Sequence, residues 1–274
     1  MQQNVSCFAT GWLGKVATVV APSPAPPAMV FCDFDGPIAD VSERYYSTYR
    51  IALQDTQAAY GVAVQVLSKA QFWHMKQTRV PDPDIAEWSG LKGEQVTFFL
   101  ARVTDIVNQS TLLHQDTLQP GARDALLALH HQGIRIVIVT LRQAAQVLQF
   151  LYDHDLATVV SQIYGANDDT TAYPNRIEHK VARLQDAIAE QHQLGFDPTT
   201  AWMIGDTEAD ICAGQAAGIA TIALTCGIRS RVHLEAYAPT AICDSLAQGI
   251  GTILPGRGRG SFAPLRKIQR LRSA

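Results

Sequence analysis

The chain has 274 residues, 47% hydrophobic and 17% charged, with a formal net charge of −3. That length carries one large domain or a core with an inserted unit, and the charge excludes an overall balance built for nucleic acid. The sequence contains no run of 18 apolar residues, which excludes a helical membrane span.

Residues 1–28 hold a mildly apolar stretch, Val16 to Val20, with Lys15 directly beside it, followed by the Pro-rich run from Ala21 to Ala28. This reads as a flexible, linker-like extension, with Met29 opening the folded unit. Val30 to Cys32 is a short buried strand. A helix starts near Ser42, capped by Asp40 or Ser42, and runs to Tyr60 before Gly61. Ser68 to Arg79 is a second helix. Val80 to Gly90, rich in Pro, Asp and Gly, predicts a loop with at most one short turn. Lys92 to Asn108 is a third helix, apolar at Val96, Phe99, Leu100 and Val103. Residues 41–115 are therefore expected to form a helical insert without strands, between core segments 29–40 and 116–254.

Beyond the insert the pattern changes. Pro120-Gly121 opens a helix through His131, closed by Gly133. Ile134 to Val139 is a continuous β-branched run, as in a strand covered on both faces. A helix from Gln143 to His154, a strand from Val159 to Tyr164 and a helix from Glu178 to Gln193 follow. Trp202 to Ile204 is a strand, Glu208 to Ala217 a helix, Ile219 to Leu224 a strand, and Ala241 to Cys243 a last one. This alternation predicts an α/β fold, a doubly wound, mostly parallel, Rossmann-like sheet. From Pro255 to Ala274 there are six basic residues and no acidic one. Its Gly-Arg-Gly-Arg-Gly opening predicts a disordered basic tail. Contact with RNA or anionic lipid is one use of such a tail; a solvated terminus is the plainer reading. Five cysteines (Cys7, Cys32, Cys212, Cys226, Cys243) show no metal-ligand spacing, which predicts reduced thiols and a cytoplasmic setting.

Ligands of doubly wound sheets sit beyond the carboxyl ends of the strands. There the chain places Asp33-Phe34-Asp35-Gly36, Thr140, and Gly205-Asp206 with Asp210 four residues on. Carboxylates so grouped are costly without cations. The pair Asp33 and Asp35 suits a nucleophile and a proton donor beside a hard metal ion, and Mg2+ fits because it takes oxygen ligands. The Thr140 hydroxyl and the Leu141 amide, read as the start of the next helix, suit a phosphate oxygen; a lone Thr there otherwise reads as a cap. Lys180 is the candidate protein cation.

These four segments, in this order, resemble the haloacid dehalogenase-like hydrolase superfamily. The nearest pattern is its phosphoglycolate phosphatase-like branch, which carries a helical cap of the C1 type. The resemblance implies that Asp33 attacks phosphorus to give an aspartyl phosphate, and that Asp35 protonates the leaving oxygen and then activates water. It implies Mg2+ held by the Asp33 and Asp206 side chains and the Asp35 carbonyl. Thr140, Leu141 and Lys180 would hold phosphoryl oxygens, and Asp210 would orient Lys180 or a metal-bound water. Two departures stand out. Pro37 replaces the usual Thr, and Lys180 follows Glu178-His179 rather than sitting in a Lys-Pro-x-Pro setting, which leaves Arg176 as an alternative cation.

The implied activity is a Mg2+-dependent phosphatase acting on a small phosphorylated metabolite, phosphoglycolate-like or a sugar phosphate, with no nucleic-acid or membrane partner. A sugar phosphomutase and a non-catalytic binding module are the alternatives. Dehalogenase and phosphonate hydrolase chemistry are disfavoured by the presence of Asp35. Substrate choice is expected in the cap, where Lys76 or Arg79 could meet a second anionic group. The plainer expectation for both is a solvated helix face, with Trp73 in the core and His74 in packing.

Overall fold

The computed structural model describes residues 28–166 and 175–254. The extension before Ala28 and the basic tail after Leu254, both read from sequence as flexible, lie outside the described residues. Six strands form a parallel sheet: β1 (Met29–Cys32), β4 (Arg135–Gln143), β5 (Gln162–Ala166), β6 (Trp202–Gly205), β7 (Ala220–Leu224) and β8 (Ala241–Cys243), in the order β5-β4-β1-β6-β7-β8. The chain builds outward from β1 in one direction through β4 and β5, then in the other through β6, β7 and β8. The order thus reverses at β1, where crevices for ligands arise in doubly wound sheets.

Successive strand residues point to opposite faces, and both faces are covered. Val30 and Cys32 of β1, with Ile136 and Ile138 of β4, pack against α6 (Ala122–His131), α7 (Ala144–Asp153) and α11 (Leu246–Ile253) through Leu126, Leu151 and Ile250. Met29 and Phe31, with Val137 and Val139, face α8 (Ile177–Gln193) and α9 (Glu208–Ala216) through Leu184, Ala187 and Ala213. This two-sided burial explains why these strands read as continuous apolar runs. The fold is the doubly wound α/β arrangement expected from the alternation.

Between β1 and β4 the chain forms α1 (Ser42–Tyr60), α2 (Lys69–Gln77), α3 (Asp82–Trp88), α4 (Glu94–Ile106) and α5 (Ser110–Leu113). A separate apolar cluster, including Tyr49, Leu53, Phe72, Ile85, Phe99 and Val103, draws only on residues of this stretch. Tyr45 and Trp73 pack against both this cluster and the main core. The chain leaves and re-enters the core through a two-stranded antiparallel ribbon of β2 (Ala39–Asp40) and β3 (Thr117–Leu118).

Several local expectations are corrected. Residues 80–90 hold a full helix, α3. Its first residue is Asp82, and Pro83 stands in its first turn, where the missing N–H costs nothing. Val41, not Asp40 or Ser42, is the N-cap residue of α1; the Asp40 carboxylate still accepts the Ser42 N–H at 2.9 Å. β5 begins at Gln162, not Val159, because the Val159 N–H closes a turn onto the Leu156 carbonyl. β4 does not stop at Val139. It runs to Gln143, whose partner is Ala166, so Leu141 lies in a strand and not at the start of a helix. His74 is exposed and not packed. Among the described residues no helix is long and apolar enough to cross a membrane.

Candidate active site

Asp33 directly follows β1 and is buried. Its Oδ1 accepts the Phe34 N–H at 2.7 Å and meets Lys180 Nζ at 2.8 Å. Lys180, projecting from α8 and 1% exposed, also reaches Asp210 Oδ1 at 2.9 Å and donates to the Val139 carbonyl at 3.2 Å. Arg176, the alternative cation, is 63% exposed in its side chain and lies 4.0 Å from Glu178. Lys180 is therefore the cation brought to the Asp33 carboxylate. Although burial alone would lower it, the two carboxylates push the Lys180 ammonium above its ordinary range.

Asp210 serves two neighbours at once. Its Oδ2 accepts the Thr207 N–H at 3.1 Å and the Thr207 hydroxyl at 2.7 Å, closing the first turn of α9. Asp206 leaves β6 and is 1% exposed. Its Oδ2 accepts the Ile228 N–H at 2.6 Å, while its buried Oδ1 has no hydrogen-bond partner among the described residues. A Cβ at Gly36 or at Gly227 would collide with the Asp206 carboxylate, so both glycines are required where they stand. Gly36 additionally holds a left-handed φ of +97°.

Oxygens of Asp33, Asp206 and Asp210 lie within 4.8 Å of one another. Burial first, then the neighbouring carboxylates, raises Asp206 well above the usual carboxylate range and brings Asp33 to about 7, against the lowering effect of Lys180. The Lys180 ammonium reaches two of these three buried carboxylates; among the described residues Asp206 Oδ1 has no partner and Asp210 Oδ1 has only that ammonium. This all-oxygen donor set fits a hard divalent cation such as Mg2+. Asp33 and Asp206 are the residues with oxygens free to hold it, because both Asp210 oxygens are engaged.

Asp35 stands apart from that trio. Arg44 Nη2 meets its Oδ2 at 2.7 Å and Arg142 Nη1 meets its Oδ1 at 3.0 Å. Burial pushes the Asp35 carboxyl up, but the two guanidiniums outweigh it and hold the group below the usual carboxylate range. Both arginines continue to Asp116. Thr140 is buried, and its hydroxyl accepts the Arg142 N–H at 3.2 Å.

Asp33, Thr140, Leu141, Lys180 and Asp206 open onto a cavity of about 150 Å³ that Lys76, Arg79 and Arg229 also line. Lys76 is not on a solvated face. It is 11% exposed and meets Asp82 at 2.6 Å. Arg79, half-exposed, pairs with Glu208 at 3.0 Å and is held at a left-handed φ of 64°, a strained conformation for a non-glycine residue. Arg44, Asp116, Arg142, Glu208 and Arg229 escaped the sequence reading. Arg142 alone carried a local signal, two residues beyond Thr140 on the same strand.

The model of the family described as "Haloacid dehalogenase-like hydrolase" matches residues 30–224. The chain belongs to this family. The matched span begins with β1 and ends with β7, and so includes all four motif segments. This haloacid dehalogenase-like hydrolase is 31% identical over 137 residues to a phosphoglycolate phosphatase of Vibrio vulnificus, covering 50% of the chain and 57% of that protein. The chain thus spans little more than half the length of the curated relative. It is 24% identical over 230 residues to "Probable phosphatase IndB" of Dickeya dadantii, covering 81% of the chain and 92% of that protein. Its fold matches a predicted phosphatase from Clostridium acetobutylicum with a TM-score of 0.62 at 19% identity, over 84% of this chain and 99% of that one.

Proposed function

We propose that the protein is a Mg2+-dependent phosphatase that hydrolyses a small phosphorylated metabolite through an aspartyl phosphate on Asp33. The observation that carries this reading is the Asp33 carboxylate itself. It lies at the carboxyl end of the central strand, braced by Lys180 at 2.8 Å, and opens with Thr140 onto the cavity. The curated relative named phosphoglycolate phosphatase supports the same chemistry.

In this scheme Asp33 attacks phosphorus, forming a P–O bond as the ester oxygen departs. Asp35, which its two arginines hold ionised in the free protein, takes up a proton as the anionic ester binds, gives it to that oxygen, and then takes one from the water that cleaves the acyl phosphate. Lys180 and the Thr140 hydroxyl hold phosphoryl oxygens, and Asp210 keeps Lys180 aimed. A bound Mg2+ would neutralise charge on Asp33, Asp206 and the phosphoryl group. Residues 41–115 act as a cap over core segments 29–40 and 116–254 and exclude water from the chemistry. The cavity of about 150 Å³ suits a small substrate, phosphoglycolate-like or a small sugar phosphate. Lys76 and Arg79, which also line it, are the substrate-selecting candidates.

The test is phosphate release from a panel of phosphate monoesters, with and without Mg2+, by the wild type and Asp33→Asn. Metal-dependent turnover that vanishes in the variant is expected. A folded wild type that releases no phosphate from any ester overturns the reading.

A further inference from the structure

We propose that Arg44 and Arg142 are positioning residues for Asp35, locked by Asp116 into a ring through which the insert's first helix sets the aim of that carboxylate. The inference rests on the phosphatase reading. The ring is closed. Arg44 links Asp35 Oδ2 at 2.7 Å to Asp116 Oδ1 at 2.9 Å, and Arg142 links Asp35 Oδ1 at 3.0 Å to Asp116 Oδ2 at 2.7 Å. Each Asp35 oxygen therefore has its own guanidinium, and rotation of the carboxylate breaks one contact or the other.

The four members come from four places in the chain. Asp35 follows β1, Arg44 lies in the first turn of α1, Asp116 immediately precedes β3, and Arg142 lies in β4 beyond Thr140. Arg44 is anchored further by the Val107 carbonyl at 3.2 Å and by Asn108 Oδ1 at 2.8 Å. Val107 is the C-cap residue of α4 and Asn108 follows it, so the guanidinium is tied to the insert as well as to Asp35 and Asp116 of the core. A displacement of α1 against β4 must then turn or release Asp35.

Stability alone does not account for this arrangement. The side chains of Arg44, Asp116 and Arg142 are 0–2% exposed, whereas that of Asp35 is 22% exposed. Buried ion clusters are commonly no more stabilising than apolar residues of similar volume. This one converges on the carboxylate that transfers the proton. Acid–base groups need placement within about 0.5 Å to be effective, and a carboxylate gripped at both oxygens has that precision.

The test compares kcat/KM on an alkyl phosphate, whose leaving alkoxide needs a proton, with kcat/KM on p-nitrophenyl phosphate, whose leaving phenolate does not. It is run with Mg2+ on the wild type, Arg142→Gln and Asp116→Asn. Asp116 is the sharper probe, because its side chain has no exposed surface and acts on Asp35 through the arginines. Both variants should lose roughly tenfold or more additional activity on the alkyl ester relative to the aryl ester, a fraction of the 10²–10⁴-fold worth of acid–base catalysis. Equal losses on the two esters, or a gain on the alkyl ester, overturn the positioning role. A wild type inactive on both esters removes the phosphatase reading and this inference with it. If Arg142→Gln does not fold, the near-isosteric Asp116→Asn carries the same comparison.

Discussion

Arg79, just beyond α2, and Glu208, the first residue of α9, form an ion pair between insert and core, with Nε 3.0 Å from Oε1. Glu208 simultaneously takes two bonds from Arg229, at 2.8 and 3.3 Å. Two further bonds run alongside. The Ser230 N–H donates to the Gln77 carbonyl at 2.8 Å, and Arg229 Nη1 donates to the Lys76 carbonyl at 3.4 Å. Glu208 is thus the acidic centre of a contact that holds the end of α2 against the core.

Glu208→Gln should therefore destabilise the protein by about 3 kcal/mol, since removing one partner leaves the buried Arg229 uncompensated. Urea unfolding of the two proteins measures it. Burial opposes ionisation of Glu208, but Arg229 hydrogen bonding and charge bring it down to about 2. A carboxyl lowered in the folded state contributes stability above its ordinary range and loses it as pH falls through the folded value. The difference between wild type and variant should accordingly be constant from about pH 5 to 8, shrink steadily as pH falls below that, and be gone below about pH 2.

The metal-free protein should behave in the opposite sense around Asp33. Burial raises that carboxyl from 3.8 to about 7. A raised folded value means full stability below the ordinary carboxylate range and loss as pH rises through about 7. In the presence of a chelator, Tm should fall between pH 5 and pH 8. Added Mg2+ should restore it at pH 8, by about 2.7 kcal/mol at one hundred times Kd. A Tm at pH 8 that ignores Mg2+ would speak against Asp33 and Asp206 as a metal site.

Gly36→Ala and Gly133→Ala separate backbone strain from site geometry. Both glycines have positive φ, +97° and +69°. A methyl at Gly133 meets nothing within 4 Å, whereas one at Gly36 collides with the Asp206 carboxylate. Gly133→Ala should cost about 1 kcal/mol and keep turnover. Gly36→Ala should cost more and abolish Mg2+-dependent activity, as calorimetric metal titration and phosphate release would report.

The fold was largely legible because its signals are local. Apolar β-branched runs such as Ile136 to Val139 alternate with amphipathic helices, and a strand buried on both faces has few other homes. Asp33, Thr140, Asp206 and Asp210 could be singled out because each follows an apolar strand within a few residues. Helix α3 was missed because its Pro and Asp residues mimic a loop, although both are at ease in a helix's first turn. The overrun of β4 past Thr140 was missed because it depends on Gln143 pairing with Ala166.

By itself, then, the amino-acid order determined the doubly wound sheet and the set of acidic residues at its carboxyl edge, since hydrophobic period and chain direction dictate both. Tertiary structure alone decided which cation meets Asp33, that Lys76 and Arg79 are already paired, and that Asp35 is held in a ring with Arg44, Asp116 and Arg142. The reason is distance along the chain. Arg44 finds Asp116 across 72 positions, and Arg142 finds Asp35 across 107. A polar side chain looks solvated in its own helix or strand until a remote partner buries it, and no local pattern carries that information.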